Sequence, residues 1–404
     1  MDDEQGRILA FPQAPEAIEL RHLRSFVAVA EDLNFGRAAA RLYLSQPALS
    51  RQISALEKLV GCELLRRSTH RVELTLAGEA LLDRARLVLA DVDEAVSAAQ
   101  AVGGELVARV ARLWEPVVDA GSAEHELEEL RAAYEGMHAQ FSPPPDIDVL
   151  PVNANGVAAF TLTARPDQPV TLLYVHGGGY ALGSAYGYRP IAGALAAASD
   201  TGALIVEYRL VPEHPFPAAL DDCLRAYEWI LERGTEPEHV TVAGDSSGGG
   251  LAVSVLMALR ERRLPMPGGA VLFCPWVDLT GGTLEQSKED VPVAAFKVAR
   301  GFADAYLDGH PIDDPVVSPL TADLSGLPPL LIQAATGDAQ LEDSKLLADR
   351  ARAHGVDVRL ELYPVDTHVF QIFWSFLPEA VDAIGQAGQF VQGTRATAGE
   401  RRAS

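Results

Sequence analysis

Over residues 20–104 the apolar positions recur mostly at helical spacing. In LRHLRSFVAVAED, Leu20, Leu23, Phe26, Val27 and Ala30 fall on one face. FGRAAARLY predicts a second, shorter helix. SQPALSRQISALEKLVG predicts a third, which Ser45 can cap, Pro47 suits in its first turn and Gly61 ends. The stretch ELLRRSTHRVELT alternates around a polar turn and predicts a small hairpin. A long periodic run from Leu76 to Val102 predicts a fourth helix ending at Gly103-Gly104. Two more helical patterns follow, around Leu113 and from Leu127 to Met137, before PPPD at 143–146 breaks the chain.

From residue 147 the period changes. TLLYVH (171–176), GALIVEY (202–208), HVTVAG (239–244), GAVLFC (269–274), PLLIQAAT (329–336) and VRLELYP (358–364) are short apolar runs with helical patterns between them. Strands alternating with helices predict an α/β fold, with a parallel sheet covered on both faces. The acidic, proline-bearing residues 1–19 and the tail 395–404 predict disordered ends. No repeat of fixed period and no low-complexity tract stands out.

Composition adds a polarity to this division. The formal net charge is −23, which argues against the whole surface being a nucleic-acid platform. Residues 20–75 nevertheless hold nine Lys/Arg against five Asp/Glu, a local +4, while residues 106–404 hold 21 against 40, or −19. A basic module precedes an acidic one. Cys62, Cys223 and Cys274 are far apart and lack metal-ligand spacing, as suits a reducing compartment. The start, MDDEQG, is acidic where a signal peptide is basic, and no run of about 18 apolar residues predicts a membrane span. A cytoplasmic protein with no membrane partner is expected.

A helix, a short helix, a tight turn and a third helix describe a helix-turn-helix, whose third helix enters the major groove with its first residues toward base edges. Those residues are Ser45, Gln46, Pro47, Ser50 and Arg51. Gln46 and Arg51 suit bidentate contacts with adenine and guanine. Arg66, Arg67, Thr69 and Arg71 sit on the hairpin, where a wing meets phosphates. A basic helical domain does not require DNA for its existence. Here, however, AA-x-x-L, SQPALSRQI, LE, G-x-x-L and LT-x-AG occur in order between Leu20 and about Leu89. The segment resembles the winged helix-turn-helix of LysR-type transcriptional regulators. That resemblance implies double-stranded DNA as a partner, and a homodimer or higher oligomer built on the helix that follows. The family's usual two-lobed effector domain is absent.

Gly244-Asp245-Ser246-Ser247-Gly248 matches G-x-S-x-G, a weak pattern by itself. Here it follows the strand HVTVAG and opens the helix SGGGLAVSVLMALRER, the strand–turn–helix context in which a sharp turn lifts a serine hydroxyl into a cleft. His176-Gly177-Gly178-Gly179-Tyr180 follows an earlier strand. Read alone, its glycines make a flexible loop. Paired with the serine turn, the amides of Gly178, Gly179 and Ser247 are candidate donors to an oxyanion. A base and its orienter should follow the serine in the order acid, then histidine. Of His310, His354 and His368, the last lies in a loop just after the final strand. Asp338 ends the strand before it, where a carboxylate can fix an imidazole tautomer. Glu342 and Asp343 read as solvated charges of the next helix, and Asp366 as a turn residue.

HGGGY, EYRLVPEHPFPAALDD, GDSSGGGLA, CPWVDLT and DPVVSPL recur in this order together with the spacing to Asp338 and His368. Over about residues 110–392 the chain resembles the hormone-sensitive-lipase-like family of bacterial carboxylesterases. The resemblance implies an eight-stranded α/β-hydrolase sheet under a helical cap. It also implies metal- and cofactor-free hydrolysis of short- to medium-chain esters or lactones. Two neighbours depart from the family pattern: the acid motif reads Asp338-Ala339-Gln340 in place of D-P-L, and Val369 stands where Gly usually follows the histidine. The expected division is a disordered arm (1–19), a DNA-binding domain (20–78), a linker or dimerisation helix (79–104), a hydrolase domain with cap (105–394) and a disordered tail (395–404). Three readings follow: an esterase with a DNA-binding appendage, a regulator whose hydrolase domain senses ligand with little turnover, or a fusion with one idle half.

Overall fold

The computed structural model describes residues 18–67, 72–122, 126–283 and 293–403. The chain divides into two compact units, Met1–Val107 and Ala108–Ser404.

The first unit holds α1 (Leu20–Asp32), α2 (Phe35–Arg41), α3 (Gln46–Val60), the strands β1 (Leu65–Arg67) and β2 (Val72–Leu74), and the start of α4 (Leu76–Ser122). Each short helix carries its own stop and start. Asn34 Oδ1 accepts from the Arg37 amide at 3.0 Å, Ser45 Oγ from the Ala48 amide at 3.4 Å, and Gly61 closes α3 at φ 81°. The apolar faces meet in a core of Phe26, Val29, Leu49, Ile53 and Leu56, completed by Leu64 and Leu65 and by Leu82 and Ala85 of α4. Glu57 Oε1 of α3 accepts from the amides of Leu64 and Leu65 at 3.0 and 3.1 Å, which fixes where the β1–β2 hairpin leaves the helix.

The helix α4 corrects the expected break: it runs through Gly103 and Gly104 to Ser122. A glycine ends a helix by taking a positive φ, and neither of these two does. Their cost of about 1 kcal/mol each against alanine falls on a segment otherwise rich in Ala, Leu, Val and Glu.

The second unit is built on an eight-stranded sheet of order β10-β9-β8-β7-β5-β6-β4-β3. Its strands are β3 (Asp148–Ala154), β4 (Val157–Thr163), β5 (Val170–Val175), β6 (Gly202–Val206), β7 (Thr241–Asp245), β8 (Gly269–Phe273), β9 (Leu330–Ala335) and β10 (Val358–Tyr363). The β3–β4 and β4–β6 pairs are antiparallel and the rest parallel. Every residue of β6, β7, β8 and β9 is buried, as expected of strands covered on both faces. Among the described residues the further α-helices are α5 (Leu127–His138), α6 (Arg189–Ala198), α7 (Ala218–Glu232), α8 (Ser246–Glu261), α9 (Val293–Leu307), α10 (Leu341–Ala353) and α11 (Pro378–Ala403). Helices α6 and α11 pack together, and α7 packs with α8. Helix α11 continues to Ala403, a correction to the disordered tail expected over 395–404. RATAGERRA is mostly good helix formers and extends a helix already nucleated.

Candidate active site

The strand order brings the chemistry to one edge, because β7, β8, β9 and β10 are neighbours and their C-terminal ends open on one side of the sheet. Ser246 sits where β7 turns into α8, at φ 51°. The turn is tight enough to demand its glycines. A Cβ on Gly244 would run into the Gly248 carbonyl, and one on Gly248 into the carbonyls of Val175 and His176. Ser246 therefore projects at the first position of a helix whose residues from Ser246 to Leu259 are all buried.

His368 lies in the loop after β10 and Asp338 just beyond β9. His368 Nε2 stands 2.8 Å from Ser246 Oγ, and His368 Nδ1 2.8 Å from Asp338 Oδ2. The Gln340 amide donates to Asp338 Oδ1 at 2.9 Å. Burial works to raise the Asp338 pKa, but the His368 ring and the Gln340 amide outweigh it and the carboxyl stays below its ordinary range. Burial works to lower His368, but the Asp338 carboxylate outweighs it, with Asp245 and Asp343 adding, and the imidazole is held above its ordinary value. An ionised carboxylate accepts only, so Nδ1 carries the proton and Nε2 presents its lone pair to the Ser246 hydroxyl.

Gly178 and Gly179 reach the same place on the loop after β5, at φ 108° and 62°. A Cβ on Gly178 would meet the Leu182 carbonyl, and one on Gly179 the Phe302 ring. Ser247 is fully buried, and its Oγ accepts from the Tyr180 amide at 3.2 Å, tying the glycine loop to the serine turn. Asp245 makes a second tie. Its Oδ1 accepts from the Gly177 amide at 3.1 Å and the Tyr174 hydroxyl at 3.0 Å, and burial pushes its carboxyl up to about 7. Sequence reading passed over Asp245, although it is the x of G-x-S-x-G.

A cavity of about 420 Å³ opens on Ser246 and His368. Gly178 and Gly179 line it with Trp114, Val117 and Val118 of α4, Leu130 and Tyr134 of α5, Trp276, and Val298 and Phe302 of α9. Among the described residues its lining carries, apart from His368, no ionisable group but the Tyr134 phenol, which burial keeps protonated.

Asp343 corrects the expectation of a solvated charge. It is fully buried, and its Oδ2 accepts from the amides of Val277 and Asp278 at 2.7 and 2.8 Å. Burial pushes it up to about 6. His354 is likewise partly buried, with Nδ1 accepting from the Leu324 amide at 3.1 Å. His310 pairs with Asp314 at 2.7 Å. Val369, where the family pattern has Gly, takes φ 47°, a left-handed backbone uncommon for a β-branched residue.

In the first unit Ser45, Gln46, Pro47 and Arg51 are exposed along the start of α3, Ser50 is half-buried, and Arg66 is exposed on β1. Only the backbone of Arg67 is described, and Thr69 and Arg71 lie outside the described residues. Tyr43, 97% exposed in the turn before α3, is a surface aromatic that sequence reading did not single out. Among the described residues no helix is long and apolar enough to cross a membrane.

Comparison with known proteins accords with both halves. Residues 172–372 match the model of an alpha/beta hydrolase fold, and residues 20–79 that of the bacterial regulatory helix-turn-helix proteins of the lysR family. An acetyl-hydrolase of Streptomyces hygroscopicus is 39% identical over 273 residues, 66% of this chain and 90% of that protein. The crystal structure of an esterase from the bacterial hormone-sensitive lipase family is similar with a TM-score of 0.66 at 35% identity, covering 70% of this chain and 97% of that one. That of EstE5, soaked with p-nitrophenyl butyrate, gives 0.64 at 37% identity, covering 70% and 99%. The chain belongs to the α/β-hydrolase family of the bacterial hormone-sensitive-lipase-type esterases and acetyl-hydrolases, and carries a lysR-family helix-turn-helix domain at its N-terminus.

Proposed function

We propose that the chain is a serine carboxylic ester hydrolase acting on uncharged short- to medium-chain esters or lactones, and that its first unit binds double-stranded DNA. The observation that carries the enzymatic reading is the unbroken line Ser246 Oγ–His368 Nε2 and His368 Nδ1–Asp338 Oδ2, each step 2.8 Å, beside a cavity whose described lining is almost wholly uncharged. Ser246 attacks the ester carbonyl while His368 takes its proton. The tetrahedral oxyanion lies against the amides of Gly178, Gly179 and Ser247. His368 then protonates the leaving alkoxide, and an acyl-enzyme remains. Water, deprotonated by the same imidazole, releases the acid and restores Ser246. Asp338 orients the ring and stabilises its cationic form. No step requires a metal or cofactor.

Wild-type protein should hydrolyse p-nitrophenyl butyrate, and a fluorophosphonate should label it once per chain. Ser246→Ala should lose both while keeping its unfolding transition. Retained turnover in that variant refutes the assignment.

The lysR-family match and the exposed Gln46, Arg51 and Arg66 support the DNA-binding reading. They also favour the second reading, a regulator that uses the cavity as a ligand sensor; turnover too slow to matter, with ligand-dependent operator binding, would select it.

A further inference from the structure

We propose that Cys274, Asp338 and His368 form an inhibitory site for a soft divalent cation, such as zinc or cadmium. The three residues follow β8, β9 and β10, adjacent strands of the sheet, and one ligand atom from each lies within 4.8 Å of the others. Thiolate, carboxylate and imidazole together are the donor set that selects thiophilic cations over magnesium and calcium. Cys274 is fully buried and its backbone is pinned, its amide donating to Gln333 O at 2.7 Å with φ at 45°. The thiol is not among the residues that line the substrate cavity, and its Sγ stands 4.0 Å from Gln371 Oε1. The site rests on the triad assigned above.

The chemistry of inhibition follows from the tautomer. In the resting arrangement Nδ1 bears the proton and Nε2 the lone pair. A cation can bind Nδ1 only through a lone pair, so Nδ1 gives up its proton and Nε2 gains one from solvent. The Cys274 thiol loses its proton to solvent as it becomes a thiolate ligand. One proton leaves per ion bound, and thiolate, carboxylate and dication sum to zero charge, which suits a buried position. Nε2–H now donates toward Ser246 Oγ and can no longer accept its proton. Turnover is lost while the substrate cavity is unchanged.

The test uses the full chain with Cys62→Ser, since Cys62 is an exposed thiol. Cadmium chloride is titrated against p-nitrophenyl butyrate hydrolysis and, separately, against the ultraviolet thiolate–cadmium charge-transfer band. The expected result is a fall of at least tenfold in kcat with KM unchanged, reversal by EDTA, and a band that grows with the same midpoint. Magnesium should do neither. Cys274→Ser should lose the band and need at least ten times more cadmium for half-inhibition. Equal sensitivity with and without the thiol overturns the proposal, as does a saturated band with undiminished kcat. If Cys274→Ser proves inactive, the band alone decides, measured in Ser246→Ala with and without Cys274→Ser. That readout needs no turnover, so it stands apart from the fate of the esterase assignment.

Discussion

The sharpest test of the hydrogen-bonded line is Asp338→Asn, because the surroundings dictate how the new side chain must sit. Asp338 Oδ1 accepts from the Gln340 backbone amide at 2.9 Å. An asparagine keeps that bond only with its carbonyl oxygen at the Oδ1 position. Its NH2 then occupies the Oδ2 position, 2.8 Å from His368 Nδ1, and needs an acceptor there. The imidazole can supply one only by moving its proton to Nε2, where it blocks the base. The equivalent replacement in serine proteases lowers kcat about 10⁴-fold through the same wrong tautomer, about 5 kcal/mol at about 1.4 kcal/mol per decade. We expect a loss of 10³- to 10⁴-fold in kcat on p-nitrophenyl butyrate, with KM within about threefold and the urea midpoint little changed. The pH profile gives a second reading. In wild type, activity should rise as His368 deprotonates, with a midpoint above the ordinary imidazole value, since the Asp338 carboxylate outweighs burial. Without that charge, any residual activity should titrate lower. A loss under tenfold, with the midpoint unmoved, would mean that another carboxylate orients His368.

Three further outcomes follow. Gly179→Ala should lower kcat about 10²- to 10³-fold in the same assay, because φ 62° disfavours any side chain and its Cβ meets Phe302, displacing an oxyanion donor; near-normal kcat would remove Gly179 from the oxyanion site. Asp343 has a folded pKa of about 6 against an ordinary 3.8, so it contributes stability that is present below pH 4 and lost as pH rises through about 6, roughly 3 kcal/mol in all. Urea unfolding of Asp343→Asn should be flatter between pH 4 and 7, and an unchanged slope would refute the shift. Arg51→Ala should cost about 1–3 kcal/mol at one operator base, and Arg66→Ala should reduce the slope of log K against log salt by about one; variants indistinguishable from wild type in retardation assays across salt would exclude these arginines from the interface.

The site was more legible than the frame around it, for a physical reason. A serine at a strand–helix turn needs glycines within two residues, and an oxyanion loop needs them consecutively, so both leave dense local signatures. Asp338 and His368 leave none of their own and were found through the strands they follow. The misses share a different cause. β3 and β4 form an antiparallel hairpin with Ala154↔Val157 as its last pair. Its Asn155-Gly156 turn, both residues at positive φ, is a readable signal. Pro151 and the mixed exposure of β3, an outermost strand of the sheet, hid the period. The Gly103-Gly104 pair looked like a stop because composition alone does not reveal φ. Asp343 looked solvated because an acidic residue in a first helical turn normally is, and only tertiary structure brings the Val277 and Asp278 amides onto it.

What no sequence pattern supplies is the sorting of identical residue types by environment. Asp338, Asp245 and Asp343 all stand buried and all act on His368, yet the first is held ionised while burial lifts the others to about 7 and about 6. The difference lies in partners. Asp338 is hydrogen-bonded to an imidazole that can become cationic, whereas the amides and hydroxyls bonded to Asp245 and Asp343, with the field of His368 added at Asp245, offset burial only in part. The histidines divide by the same rule. His176 and His138 lie in an aromatic stack with Tyr188, 5.3 and 4.2 Å from its ring, and burial drives them down to about 4 and about 3. Both are held in the neutral form well below the ordinary imidazole range, and among the described residues neither Nε2 has a hydrogen-bond partner. His368 alone of the three combines an ionised partner on one nitrogen with a hydroxyl on the other. Pairs whose surroundings drive their pKa values apart mark the acid–base assignment. By that criterion, of these three histidines His368 is the one poised as a base toward Ser246.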